Sequence, residues 1–317
     1  MVRGGVHTLT PIQYSTAGKN LVVVGDAAVD LTLLLPDDVA PDEKVTVTRS
    51  VRSPGGTGAN TAVAAARLGS NVALYSVVGD DLYGTWVLEK LRTLGVDVKH
   101  VVRVAGPTGL AVVLLGRATR TVVVDRGVSD ELGVRYLDGP LSMARMAYLS
   151  GVPIECALWF VDNGLGQRTV LGLEARQFVE SDPRWARLLG AVRLVLTNEA
   201  GAAALKAQHL WSPEGPGPSF RVVVTEASIG ATIYEPGQAR LHVDALEVEA
   251  VDATGAGDCF AGALCHYLDS GESVEASVQL AIVAAGLSTQ GVGAQATLPR
   301  NEEVRAAVAR MGGGATL

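Results

Sequence analysis

A glycine-rich turn running into an acid is the first feature of this chain that chemistry could use. Residues 251–264 read V-D-A-T-G-A-G-D-C-F-A-G-A-L. Gly255, Ala256 and Gly257 lead into Asp258, and Phe260, Leu264, Tyr267 and Leu268 follow at helical spacing, so the turn opens a helix. Small residues let backbone N–H groups converge on one point, and the helix start contributes the positive end of its dipole. Together they hold an anion such as phosphate without Lys or Arg. A carboxylate beside such a hole can take a proton from a hydroxyl that attacks phosphorus. Read alone, the same residues also suit an ordinary helix start, with Asp as a cap and Gly turning the chain.

A second polar constellation comes earlier. Gly55-Gly56-Thr57-Gly58-Ala59-Asn60 lacks the Lys-Ser/Thr ending of a P-loop, and Gly25-Asp26-Ala27-Ala28 is not the G-x-G-x-x-G of a dinucleotide site. Its glycines allow close backbone approach to a small polar ligand, and the Asn60 amide can bind hydroxyls. A structural turn with an Asn cap is the plain alternative. Asp30 stands just beyond the first predicted strand, where open α/β sheets hold ligands and where turn residues are also common.

These residues need a scaffold. The apolar run 21–25 reads as a strand buried on both faces of a parallel sheet. Strands at 31–35 and 45–51 flank a Pro/Asp-rich turn at 36–43 and are expected outside the main sheet. A helix is predicted at 61–68, closed by Gly69. Strand 72–78, helix 85–94 and strand 101–104 then alternate as βαβ. Segments 109–115 and 121–125 form a second strand pair, apolar on both faces. Such a pair should be covered on one side by substrate or body and on the other by a second subunit. Strands follow at 146–149, 170–173, 194–196 and 221–225, with helices at 154–163, 185–189, 274–287 and 302–311 and a surface loop at 212–219. The pattern predicts an α/β fold, a mostly parallel central sheet flanked by helices, with a small β-strand lid from 31–51 and 109–125. Residues 1–20 are expected to be a flexible tail, and no internal repeat divides the domain at 21–317.

At 317 residues and 48% hydrophobic content the chain can build a sizeable core. A net charge of −7, with no basic run, argues against nucleic acid as a partner. Cys156, Cys259 and Cys265 have neither disulfide-framework nor zinc-site spacing. Without a signal-length or membrane-spanning apolar run, the chain is expected to be soluble and cytoplasmic.

From about Leu21 to Pro299 the chain resembles the ribokinase-like (PfkB) family of carbohydrate and nucleoside kinases. G-G-T-G-A-N-T-A-V-A-A-A-R-L-G, residues 55–69, resembles the family's N-terminal signature, and D-A-T-G-A-G-D-C-F-A-G-A, residues 252–263, its C-terminal one. The resemblance implies ATP and Mg²⁺, with K⁺ in many members. It makes Asp258 the catalytic base and Gly255, Ala256 and Gly257 the anion hole for the γ-phosphoryl group. Asp30, Gly55, Gly56 and Asn60 would hold the acceptor; Asn198, Thr225 and Gly230, with Gly257, would meet the nucleotide. Asp252 and Thr254, with carbonyls near Ser288, Gly291 and Gly293, match a monovalent-cation site.

The chain also departs from the pattern. Gly201 ends the N-x-x-E motif, so Glu199 or water would have to serve magnesium, and Ala227 replaces the first glycine of the T-x-G-x-x-G nucleotide loop. Ala28 and Ser150 stand where ribose-type members carry Asn and Glu, which argues against ribose itself. Neither lid pair contains Phe, Tyr or Trp to stack a base, so a sugar-like acceptor is favoured over a nucleoside. Arg126 could meet an acidic substrate or be solvated. A nucleoside kinase and a non-catalytic nucleotide or sugar sensor are the rival readings.

Overall fold

The computed structural model describes residues 21–37, 42, 44–117, 119–137, 141, 144–178, 182–213 and 219–312. The chain begins with β1 (Leu21–Val24), β2 (Ala28–Leu34), β3 (Arg49–Gly55), α1 (Thr57–Leu68), β4 (Val72–Gly79), α2 (Leu82–Thr93) and β5 (Asp97–Val104). Next come β6 (Gly109–Leu115), β7 (Arg120–Asp125), β8 (Met146–Ser150), α3 (Ile154–Asp162), β9 (Thr169–Leu173), α4 (Arg184–Ala191), β10 (Leu194–Asn198) and α5 (Glu199–Ala207). Then follow β11 (Val222–Thr225), β12 (Gly230–Tyr234), β13 (Leu241–Asp244), α6 (Ala256–Asp269), α7 (Val274–Ser288) and α8 (Asn301–Gly312).

Nine strands form the main sheet in the order β13-β12-β11-β10-β9-β8-β1-β4-β5, parallel from β11 to β5 and antiparallel at β12 and β13. The wholly buried β1 sits inside it, and its side chains alternate between two cores. Leu21 and Val23 pack on the side of α1, α6 and α7, whereas Val22 and Val24 pack with Leu158, Trp185 and Leu188 of α3 and α4. The expected α/β architecture is therefore present. Among the described residues no helix is long and apolar enough to cross a membrane.

A separate four-stranded sheet, ordered β3-β2-β6-β7, stands beside the ends of the main strands. Its β2 pairs antiparallel with β3 and parallel with β6, and β7 is the outer strand. The predicted strand at 45–51 is corrected to β3, Arg49–Gly55. Alternating valines suggested the earlier start, but the pairing runs from Leu34↔Arg49 to Ala28↔Gly55 and leaves residues 44–48 outside any strand.

Helix α1 starts at Thr57, four residues before the predicted start, so Asn60 lies in its first turn and Gly56 occupies the cap position. Likewise Asp81 caps α2 through Gly84 N–H and extends it forward to Leu82. Asp30 lies within β2, not beyond a strand end. The tail at 1–20 lies outside the described residues, as do 38–41, 43 and 118 of the predicted lid pairs, 214–218 of the surface loop and 313–317.

Helix α6 lies directly on α1. A Cβ at Gly262 would come within 2.6 Å of the Thr61 carbonyl and 2.9 Å of the Ala64 Cβ, so only glycine permits this approach. One turn earlier on each helix stand Asp258 and Asn60, and the tight crossing brings them together.

Candidate functional site

Asn60 Nδ2 donates to Asp258 Oδ2 at 2.9 Å, and Gln295 Nε2 donates to Asn60 Oδ1 at 2.8 Å. The amide is thereby fixed in one orientation, N–H toward the acid. Asp258 occupies the first turn of α6, which Gly255 opens in the left-handed region at φ 77°. Desolvation pushes the Asp258 carboxyl well above the usual carboxylate range; the Asn60 bond opposes this, while the charges of Asp26, Asp30 and Glu174 reinforce it. A carboxylate so raised is a stronger base than an exposed Asp.

Asp258 faces a cavity of about 500 Å³ whose wall includes Asp30, Gly56, Asn60 and Gly255 from the body and Arg120, Val122 and Val124 from β7. Asp26, not singled out from the sequence, also lines it. Its Oδ1 accepts from Thr57 Oγ1 at 2.8 Å and Gly58 N at 3.2 Å, and Thr57 Oγ1 lies 2.6 Å from Ser150 Oγ. Gly55 is constrained by the acid opposite, since a Cβ there would overlap the Asp30 carboxylate. Arg126 lines the cavity with its Nε 2.5 Å from Asp130 Oδ1, and Arg176 pairs with Glu174 at the same distance.

Asp30 is 7% exposed. Burial first, and then repulsion from Asp26, raises its pKa to about 7, against the opposing pull of Asn60 and Arg120. A raised acid pKa means that the folded state keeps a proton which the unfolded chain has already released. Stability therefore falls as pH rises from the ordinary carboxylate range toward 7. Asp30→Asn should remove this penalty and stabilise the fold by up to about 4 kcal/mol near pH 8, with almost no gain near pH 4. Urea unfolding at the two pH values checks this, and a gain of equal size at both would exclude ionisation as its cause.

Behind the turn, Asp252 is buried and hydrogen-bonded through both carboxylate oxygens. Its Oδ1 accepts from Thr254 N at 2.9 Å and Thr254 Oγ1 at 2.5 Å, and its Oδ2 accepts from Gly293 N at 2.9 Å. The Ser288 carbonyl accepts from Thr297 Oγ1 at 2.6 Å. These bonds hold the Asp252 carboxylate, and with it the turn, in place. Gly291 and Gly293 lie in the same loop. Arg120 Nε reaches across from β7 to donate to Thr254 Oγ1 at 3.2 Å.

Asn198, Glu199, Thr225 and Gly230 lie away from this cavity, around the ends of β10 and β11. Asn198 Oδ1 caps α5 by accepting from Gly201 N at 3.0 Å, and Thr225 Oγ1 donates to the Thr197 carbonyl at 3.3 Å. Glu199 is exposed in the first turn of α5. Gly201 is explained by its neighbour: a Cβ there would overlap Thr197 Oγ1, which donates to the Leu173 carbonyl at 3.0 Å. Ala227 adopts φ 49°, the left-handed conformation that the expected glycine would take without strain. Among the described residues no group of three or more His, Cys, Asp or Glu side chains could hold a metal ion.

A search of family models matches the pfkB family carbohydrate kinase model over residues 19–301. Ribokinase from Bacillus subtilis is 30% identical over 299 residues, covering 90% of this chain and 98% of the relative. In structure, ribokinase from Thermotoga maritima superposes with TM-score 0.75 at 23% identity, covering 92% of this chain and 99% of the other. A putative ribokinase II from E. coli, solved in complex with ATP and Mg²⁺, gives TM-score 0.76 at 19% identity, with 92% and 99% covered.

Proposed function

The chain belongs to the pfkB family of carbohydrate kinases, and on that footing we propose that it transfers the γ-phosphoryl group of ATP to a hydroxyl of a small sugar or sugar-like acceptor. The observation that carries this reading is the 2.9 Å contact between Asn60 and Asp258 on the cavity wall. It joins the acid of one signature to the amide of the other beside an anion-binding turn. Asp258 takes the acceptor's proton, and the N–H groups of Gly255, Ala256 and Gly257 receive the negative charge that develops on the transferred group. Asp30, Gly55, Gly56 and Asn60 bind acceptor hydroxyls. On the nucleotide side stand Asn198 and the segment from Thr225 to Gly230, and Glu199 meets the magnesium of MgATP through water. The relative solved with ATP and Mg²⁺ supports that choice of donor. No step here runs through K⁺.

A sugar is favoured over a nucleoside because, among the described residues, the acceptor cavity is lined by Leu110, Ala111, Val113, Val122 and Val124 and by no Phe, Tyr or Trp. Ribose is disfavoured because Ser150, where a Glu would be expected, is buried and occupied with Thr57. ATP consumption measured across sugars and nucleosides tests the assignment. Turnover confined to nucleosides would displace it, and nucleotide binding with silence on every acceptor would favour the sensor.

The small sheet serves as the lid, and its outer face supports a homodimer. Val122 and Val124 line the cavity, whereas Val123, as exposed as Val124 at 57%, pairs with Val112 and lies on the opposite face. A second copy of this sheet would cover that face. Val123→Glu should therefore halve the mass seen by analytical ultracentrifugation, and a wild-type chain that sediments as a monomer would overturn the dimer.

A further inference from the structure

Three arginines line the acceptor cavity, and among the described residues one of them forms no ion pair. Arg126 is paired with Asp130 and Arg176 with Glu174. Among the described residues, Arg120 has a neutral partner, the Thr254 hydroxyl, and its terminal nitrogens carry no hydrogen bond or ion pair. Thr254 Oγ1 gives its own proton to Asp252 Oδ1 at 2.5 Å, so a lone pair remains for Arg120 Nε. The guanidinium is thereby tethered beside Gly255 at the mouth of the anion-binding turn, close enough to Asp30 to hold down that acid's pKa.

We propose that Arg120 is a catalytic residue whose missing counter-charge is the phosphoryl group in flight, carried to it by the small sheet. The inference rests on the kinase reading above and adds a cation to a site otherwise built from backbone N–H groups. In the transfer, the acceptor oxygen bonds to phosphorus as the bond from phosphorus to the bridging oxygen of ATP breaks. The hydroxyl proton goes to Asp258 and the electron pair leaves with ADP. Negative charge on the equatorial oxygens is greatest midway, and a fixed guanidinium stabilises it there more than in either bound ground state. Arg120 opens β7, the outer strand of the small sheet, so this cation is in place only when that sheet lies over the cavity. Water that enters an open site therefore meets an incomplete one.

Steady-state kinetics of Arg120→Ala and Arg120→Lys, with MgATP and the best acceptor of the sugar panel, test the proposal. Arg120→Ala should lower kcat by about a hundredfold or more and change either KM only a few-fold. Arg120→Lys should recover part of the loss, and added guanidinium ion should partly restore Arg120→Ala. An independent readout uses MgADP with aluminium fluoride, which imitates the phosphoryl group in transit. Thermal unfolding of the wild type should rise further with MgADP plus fluoride complex than with MgADP alone, and Arg120→Ala should lose that increment.

A kcat within about threefold of wild type would overturn the proposal, as would an effect confined to the acceptor KM, which would make Arg120 a binding residue. A wild-type protein inactive on every acceptor and indifferent to aluminium fluoride would instead bring down the kinase reading itself.

Discussion

Asp258→Asn should lower kcat by about 10²- to 10⁴-fold while leaving nucleotide affinity unchanged. The amide is nearly isosteric and still offers an oxygen to Asn60 Nδ2, but it cannot take a proton at any accessible pH. Because desolvation and neighbouring carboxylates disfavour the charged acid, the same substitution should raise resistance to urea. Activity and stability thus move in opposite directions, which separates lost chemistry from lost fold. In the wild type, kcat/KM should rise with pH as the carboxyl ionises, along a limb placed well above that of an ordinary Asp. Turnover within about tenfold of wild type would remove Asp258 from the role of base.

The second large effect concerns the backbone of the turn. Gly255 has φ 77°, and a Cβ there would lie 2.6 Å from the Ala294 Cβ and 2.9 Å from its Cα. Gly255→Ala combines a left-handed alanine, which costs about 1–2 kcal/mol, with displacement of the loop that carries Ala294. The N–H groups of Ala256 and Gly257 would turn away from the phosphoryl position, and kcat should fall about a hundredfold or more. Gly257→Ala provides the structural contrast. Nothing lies within 4 Å of its Cβ position, and alanine is the better helix former, so stability should hold or rise by about 1 kcal/mol. Urea midpoints and kcat for the pair check both statements; equal stability in the two variants would discount the clash at Ala294.

Much of this was legible before any coordinates. Buried parallel strands appear in sequence as unbroken apolar runs, so β1, β8, β9 and β11 were found within about one or two residues. Where burial is one-sided or the residues are polar, the signal weakens. Strand β3, R-S-V-R-S-P-G, carries almost no hydrophobic pattern and owes its place to β2 alongside. Helix α5, E-A-G-A-A-A-L-K-A, carries a single large apolar residue, Leu205, so the sequence offers no repeated apolar spacing there, and β12 and β13 were likewise missed.

At the site, the two signatures announced Asp258 and Asn60, since glycine, acid and amide occur there in a chemically unusual order. Asp26, Arg120 and Gln295 could not be read the same way. Each is an ordinary polar residue whose role comes from what long-range folding places opposite it: Thr57 and Gly58, Thr254, and Asn60. Gly201 was visible as a departure but not explicable, because Thr197 fills the space only once the β10 to α5 corner is formed.

The relay from Gln295 through Asn60 to Asp258 spans separations of 235 and 198 positions. During synthesis the amide that orients the acid is itself unanchored until almost the last helix has emerged. A nascent polypeptide stalled just short of that point would already hold Asn60 and Asp258 but lack the contact that fixes the amide between them. The orientation of the acid's neighbour is in this sense settled late, by the C-terminal part of the fold.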